Sequence, residues 1–180
     1  MKKSIYYLSI LVLISSCQIY GITNDYEKLS EDERSRVKEL DSFSNTESRN
    51  IYEINGQQLK KELKNNEKSI VYIFANGCSS EYCVPLPYLE NYAEENDYKL
   101  YMIMSGYAFL YTTLDQSFTS PLYSIDQEYY GTKYSSKCYR MFVNDITGKP
   151  LGDKIKAKDY ASFFFFKNGI LDRATLKVTD

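Results

Sequence analysis

The order of segments along the chain predicts an α/β domain whose sheet is covered by helices on both faces and which ends in a β-hairpin. Three observations carry that expectation. Ser69 to Asn76 is nearly continuous in apolar residues, as a central strand buried on both faces requires. Strand-like runs alternate with charged, helix-like segments along most of the chain. Finally, Ser162-Phe-Phe-Phe-Phe-Lys-Asn-Gly169 followed by Ile170 to Val178 reads as a strand, an Asn-Gly turn and a returning strand.

Residues 1–16 read as a signal peptide. Lys2 and Lys3 form a basic start, Ile5 to Ile14 form an apolar run too short to span a bilayer, and Leu13-Ile-Ser-Ser-Cys17 closes it. That last pentapeptide resembles the lipobox of bacterial lipoproteins. The resemblance implies cleavage before Cys17, diacylglycerol on its thiol, and a mature protein held to the membrane by lipid in an oxidising or mixed redox space. Gln18 is not the aspartate that retains such lipoproteins at the inner membrane of two-membrane bacteria. Outer-membrane placement facing the periplasm is therefore expected.

Residues 17–50 are expected to be a lipid anchor and flexible tether, since Gln18 to Asn50 is rich in Ser, Asn, Asp and Glu. Within it, Ser30-Glu-Asp-Glu33 has the capping-box pattern, and Leu29, Val37 and Leu40 line one side of a short expected helix. The domain is expected over 51–180. It opens on a strand at Ile51 to Ile54, with Ile51 and Glu53 on one side and Tyr52 and Ile54 on the other, and turns at Asn55-Gly56 into a charged helix carrying Leu59 and Leu63. After the central strand come a helix over Pro87 to Glu95, a strand over Tyr98 to Ser105, a helix over Ala108 to Gln116 and a strand over Leu122 to Ile125. A mostly helical stretch from Tyr129 to Asp145 is stopped by Gly148 and Pro150.

Composition excludes several functions. Without residues 1–16, 20 basic side chains face 24 acidic ones, so nothing recruits nucleic acid. The chain has no histidine, which removes Ser-His-Asp and Cys-His catalysis and the commonest metal ligand. No glycine-rich phosphate loop is present, and Glu94 and Glu95 sit on a solvated helix end. No metal or cofactor is expected. The nineteen tyrosines are scattered through strands and helices, which fits core-edge packing better than a sugar-binding surface.

The chemically loaded feature is Cys78 and Cys83, just past the central strand and before a proline-marked helix. That order, with the closing Phe-Lys-Asn-Gly hairpin, resembles the thioredoxin-like superfamily over Ile51 to Val178, and Pro121-Leu-Tyr-Ser-Ile-Asp126 is similar to its lipid-anchored envelope branch. The resemblance implies thiol–disulfide exchange with a protein partner, with Cys78 attacking and Cys83 resolving. Three features depart from the family. The pair is Cys78-Ser-Ser-Glu-Tyr-Cys83 rather than Cys-x-x-Cys; the position of its cis-proline falls at Tyr160 or Ala161; and its buried acid would fall at Tyr72. The alternative is a binding or assembly module on the same fold with structural or idle cysteines. A third reading, an atypical two-cysteine peroxidase, lacks the proline and threonine that such enzymes carry upstream.

In a regular helix, residues five apart are separated by roughly 7.5 Å of rise and point about 140° apart, beyond disulfide reach. Pro85 and Pro87 disfavour helix at Val84 and Leu86. A helix starting near Pro87 leaves both cysteines in a loop, free to pair, but sets Cys78 outside the helix N-terminal field that acidifies a thiol. A helix starting at Ser79 or Ser80 reverses both consequences. Cys138 is read as a buried small hydrophobe on the helical face with Phe142.

Overall fold

A computed structural model describes residues 19–80, 82–156 and 159–179. Its α-helices are α1 (Glu31–Ser35), α2 (Gly56–Leu63), α3 (Leu86–Glu95), α4 (Leu110–Leu114) and α5 (Ser135–Thr147). Its strands are β1 (Val37–Glu39), β2 (Ile51–Ile54), β3 (Lys68–Phe74), β4 (Lys99–Met104), β5 (Leu122–Ile125), β6 (Phe163–Lys167) and β7 (Ile170–Thr175). They form one sheet in the order β1-β2-β5-β4-β3-β6-β7. The first five of that order are mutually parallel, and β6 and β7 are each antiparallel to their inner neighbour.

Helices α2 and α5 bury Leu59, Leu63, Phe142 and Ile146 against Val71, Ile73, Tyr101 and Phe164 on one face of the sheet. Helices α3 and α4 bury Leu86, Leu89 and Leu110 against Ile70, Tyr72, Met102 and Phe163 on the other. The alternation expected for β2 holds, with Tyr52 and Ile54 in the first core and Ile51 in the second.

Local signals explain where several elements start and stop. Asn55 caps α2 through a complete capping box with Gln58. Gly148, at φ 75°, ends α5, with Lys149 N–H donating to the Asn144 carbonyl at 2.8 Å. Asn168 and Gly169 both have positive φ, as the two-residue turn joining β6 to β7 demands.

The segment expected as a tether differs most. The Ser30 capping box forms, but the helix it opens ends at Ser35, and Val37–Glu39 pairs with β2 as the edge strand. Leu29 packs into the core beneath α3 and α4, and Leu40 and Phe43 pack against the opposite core. Further upstream, residues 19–28 run across the carboxyl end of the sheet as a strap. Tyr107 N–H donates to the Asn24 carbonyl and Ser135 N–H to the Ile22 carbonyl, and Thr23 bridges Tyr134. This strap explains why the stretch from Tyr129 is not helical before Ser135: the backbone there is committed to residues 22 and 23. Helix α4 is likewise shorter than expected, because Phe109 ahead of it takes the left-handed conformation.

Asp25 fastens the strap. Its buried carboxylate accepts from Gly21 N–H at 2.6 Å and Thr23 Oγ1 at 3.0 Å, and pairs with Lys28 Nζ at 2.8 Å. Burial alone pushes its pKa up, but the Lys28, Gly21 and Thr23 partners outweigh burial and hold it below the ordinary aspartate value.

Two outcomes are expected. A Cβ on Gly56 would lie 2.3 Å from Asp145 Cβ, so Gly56→Ala forces α2 away from α5 and costs roughly 1–3 kcal/mol, read as a lower urea midpoint at constant slope. Because the folded-state pKa of Asp25 is depressed, its contribution is full above the unfolded value of about 3.9 and is lost as pH falls through the folded value. Amide protection over residues 21–28 should follow that course in the native chain and be absent at neutral pH in Asp25→Ala.

Candidate functional site

In an open α/β sheet, ligands bind in crevices outside the carboxyl ends of the strands. The carboxyl end of β3, with parallel β4 on one side and antiparallel β6 on the other, has such a crevice beside it. The chain leaving β3 turns at Gly77, whose φ of 68° suits a residue without a side chain, and delivers Cys78 to this crevice.

Cys78 and Cys83 are joined as a disulfide with their Cα atoms 5.9 Å apart. Helix α3 begins only at Leu86, with Pro85 at its N-cap, so both cysteines lie in the loop. Of the two arrangements open in the sequence, the chain takes the one that permits the bond. Within the loop, Cys83 N–H donates to the Ser80 carbonyl at 3.0 Å. Val84 N–H donates to the Tyr72 hydroxyl at 3.3 Å, and Leu86 N–H to Gln116 Oε1 at 2.9 Å. The Ser80 hydroxyl sits 3.6 Å from Cys78 Sγ and 3.2 Å from Cys83 Sγ. Cys78 is exposed and Cys83 half-buried.

Beside the disulfide opens a cleft of about 430 Å³, with no charged side chain among its described lining residues. One wall is the cysteine loop with Ser80 and Tyr82; the other is Ser135, Ser136 and Tyr139 of α5 with Tyr160 and Ala161 ahead of β6. Tyr139 and Tyr160 stack at 5.8 Å, and the Tyr139 hydroxyl donates to the Ala161 carbonyl at 2.6 Å. Burial pushes the Tyr139 phenol up to about 12. Tyr72 forms the floor, stacked on Phe163 at 4.5 Å, and burial raises its pKa as well. The floor thus carries a neutral hydroxyl rather than a carboxylate. Ser135 Oγ is buried at the cleft with no hydrogen-bond partner among the described residues.

The remaining sequence-predicted residues lie elsewhere. Cys138 is fully buried in the core between α5 and the sheet with Phe142, and its thiol donates to the Thr132 carbonyl at 3.3 Å. Burial, with Asp126 nearby, pushes that thiol up to about 11 against the opposing pull of Lys137. Cys17 lies outside the described residues. Tyr160 and Ala161, the positions counted in the sequence for a cis-proline, do line the cleft, whereas the contributions of Tyr139 and Gly21 were not foreseen: they come from distant segments that no local pattern joins.

Among the described residues no group of His, Cys, Asp and Glu side chains is arranged to hold a metal, and no helix is long and apolar enough to cross a membrane. No family model matches the chain, and no curated protein or solved structure is significantly similar to it.

Alkylation distinguishes the thiols. In the oxidised native chain at pH 8, Cys138 is expected to resist iodoacetamide and to react fully on unfolding, as mass spectrometry of the digest would read. Reducing the Cys78–Cys83 bond opens a loop of only six residues, so it should cost about 2 kcal/mol on a chain-entropy basis and leave the circular dichroism spectrum intact.

Proposed function

We propose that the chain is a lipid-anchored, thioredoxin-like protein of the bacterial envelope that exchanges disulfides with a protein partner. The observation that carries this reading is an exposed Cys78 bonded to a half-buried Cys83 at the carboxyl end of the central strand, beside a cleft of about 430 Å³. Exposure suits Cys78 as the sulfur a partner meets, and partial burial suits Cys83 as the residue that resolves. Starting from the dithiol, the Cys78 thiolate attacks one sulfur of a partner disulfide and the other partner sulfur leaves as a thiolate. Cys83 then attacks Cys78 Sγ, restoring the Cys78–Cys83 bond and releasing the second partner sulfur. The partner gains two electrons and two protons, and the pair loses them. Run in reverse, a partner dithiol is oxidised. The Ser80 hydroxyl lies close enough to both sulfurs to donate to whichever becomes a thiolate. Solvent reaching exposed Cys78 supplies and removes the protons.

One observation favours a second reading, a binding module whose disulfide clasps the loop. Cys78 precedes Leu86, the first residue of α3, by eight positions, so the helix N-terminus does little to acidify it. The two readings part in a glutathione series with iodoacetamide trapping. Interconversion of Cys78 and Cys83 between dithiol and disulfide at roughly −180 to −260 mV, and mixed disulfides captured by Cys83→Ser, are expected of an exchanger. A bond that stays closed across the series, with no adduct on Cys83→Ser, belongs to the clasp.

A further inference from the structure

The strap brings the beginning of the described chain to the cleft itself. Gly21 lines the cleft with Cys78 and Tyr82. The strap is tightly seated: a Cβ on Gly106 would meet the Asn24 backbone at 3.2 Å. Cys17 is four residues from Gly21, and four residues span at most about 14 Å however they run. The sulfur proposed to carry the lipid is therefore leashed to the rim of the disulfide cleft.

That rim has the surface chemistry of a membrane interface. On the strap, Ile19 is 64% exposed and Ile22 54%. Next to them Tyr20 packs on exposed Phe109 at 5.0 Å, and Phe109 in turn lies against Gly77, one residue before Cys78. Phe109 holds a left-handed backbone, φ 56°, that a bulky residue seldom adopts and that keeps its ring at the surface. On the other side of the disulfide, Tyr82, Tyr160 and Leu176 are exposed around the cleft mouth. Lysines accompany the rings: Lys28 lies over Tyr20 at 4.1 Å, Lys133 over Tyr134 at 5.7 Å and Lys177 over Tyr82 at 5.8 Å. Exposed aliphatics, amphipathic tyrosines and flanking lysines are the set that seats a protein in lipid headgroups.

We propose that this face lies on the lipid–water interface of the membrane holding the anchor, so that the disulfide cleft opens toward the bilayer surface instead of swinging free on a tether. The inference rests on the lipid anchoring of Cys17 proposed above. A redox or binding partner must then present its own sulfur or peptide at the membrane surface, within the headgroup layer or along it.

The chain has no tryptophan, so a single one reports its surroundings. Tyr82→Trp and Tyr160→Trp place the reporter at the cleft mouth. Ile170→Trp places it 73% exposed at the hairpin turn, beyond the opposite end of β3, about 20 Å away. The full lipidated chains are reconstituted on phosphatidylcholine–phosphatidylglycerol vesicles with brominated acyl chains. Interfacial seating to a depth of about 5–10 Å should cost the reporters at 82 and 160 about half their emission and shift it to the blue, leaving the one at 170 unchanged. Flotation with the vesicles while all three reporters are quenched alike or not at all would overturn the seating and leave the anchor standing. A chain that does not float refutes the anchor and the seating together. For the unsubstituted chain, amide exchange over residues 77–84 and 106–111 should slow on vesicles relative to detergent; equal rates would count against the proposal even if the tryptophan variants fail to fold. The glutathione series is independent of all these outcomes.

Discussion

The site depends on how the backbone of β3 is satisfied. Ser69 to Ile73 are buried with cores on both faces, so their N–H and C=O groups have no water and must pair within the sheet. Parallel β4 takes one edge and antiparallel β6 the other, and the ladder continues to the last residues before the cysteine loop: Ile73 N–H donates to the Ser162 carbonyl, and Ser105 N–H to the Phe74 carbonyl. One neighbour is reached through α3 and the other only at the end of the chain. The crevice between those two departures is where the disulfide falls and where α5 and the segment before β6 form the far wall.

The loop that leaves β3 trades thiol activation for closure. The helix starts only at Leu86, behind Pro85 at its N-cap, and takes Pro87 into its first turn although Leu86 was expected to be extended; Cys78 to Cys83 are left free to bend until the two cysteines meet. The delay also removes the backbone donors that would have stabilised a thiolate, and those donors are satisfied differently. Gln116, at the end of α4, accepts from Leu86 N–H, and Tyr72 on the cleft floor accepts from Val84 N–H. Two long-range side chains thus replace a local cap. Among the described residues, the Ser80 hydroxyl between the sulfurs and the partial burial of Cys83 tune them.

The sequence was most readable where a structural cause is local. The Ser30 capping box, the Asn168-Gly169 turn and the Gly148 stop each act within a few residues, and each forms where it was read. The central strand was legible because burial on both faces leaves an unbroken apolar run. The segment up to Asn50 was less so, for a physical reason: Leu29, Val37 and Leu40 fit one side of a helix but are used in separate places, and Tyr26 and Phe43 stand singly among polar residues. Their partners, such as Tyr107 for Tyr26 and Tyr123 for Phe43, stand about eighty residues further on. The pairing of the cysteines was open for the opposite reason. Its answer depends on where α3 starts, which Gln116 and Tyr72 help to set from outside the loop.

The strap ties these parts into one mechanical unit. Its backbone fixes the start of α5 at Ser135, and the first turns of α5 supply Ser135, Ser136 and Tyr139 to the cleft wall. Its ring at Tyr20 braces Phe109, which presses on the turn delivering Cys78. Both walls of the cleft therefore lean on residues 19–25, and Asp25 holds those residues with a carboxylate kept below its ordinary pKa. At neutral pH the fastening is complete, because the charge is fully formed well above the folded-state value. A force applied at Ile19 reaches the cysteine loop through packed rings and hydrogen bonds. The position of the disulfide relative to the strap is therefore a property of the fold.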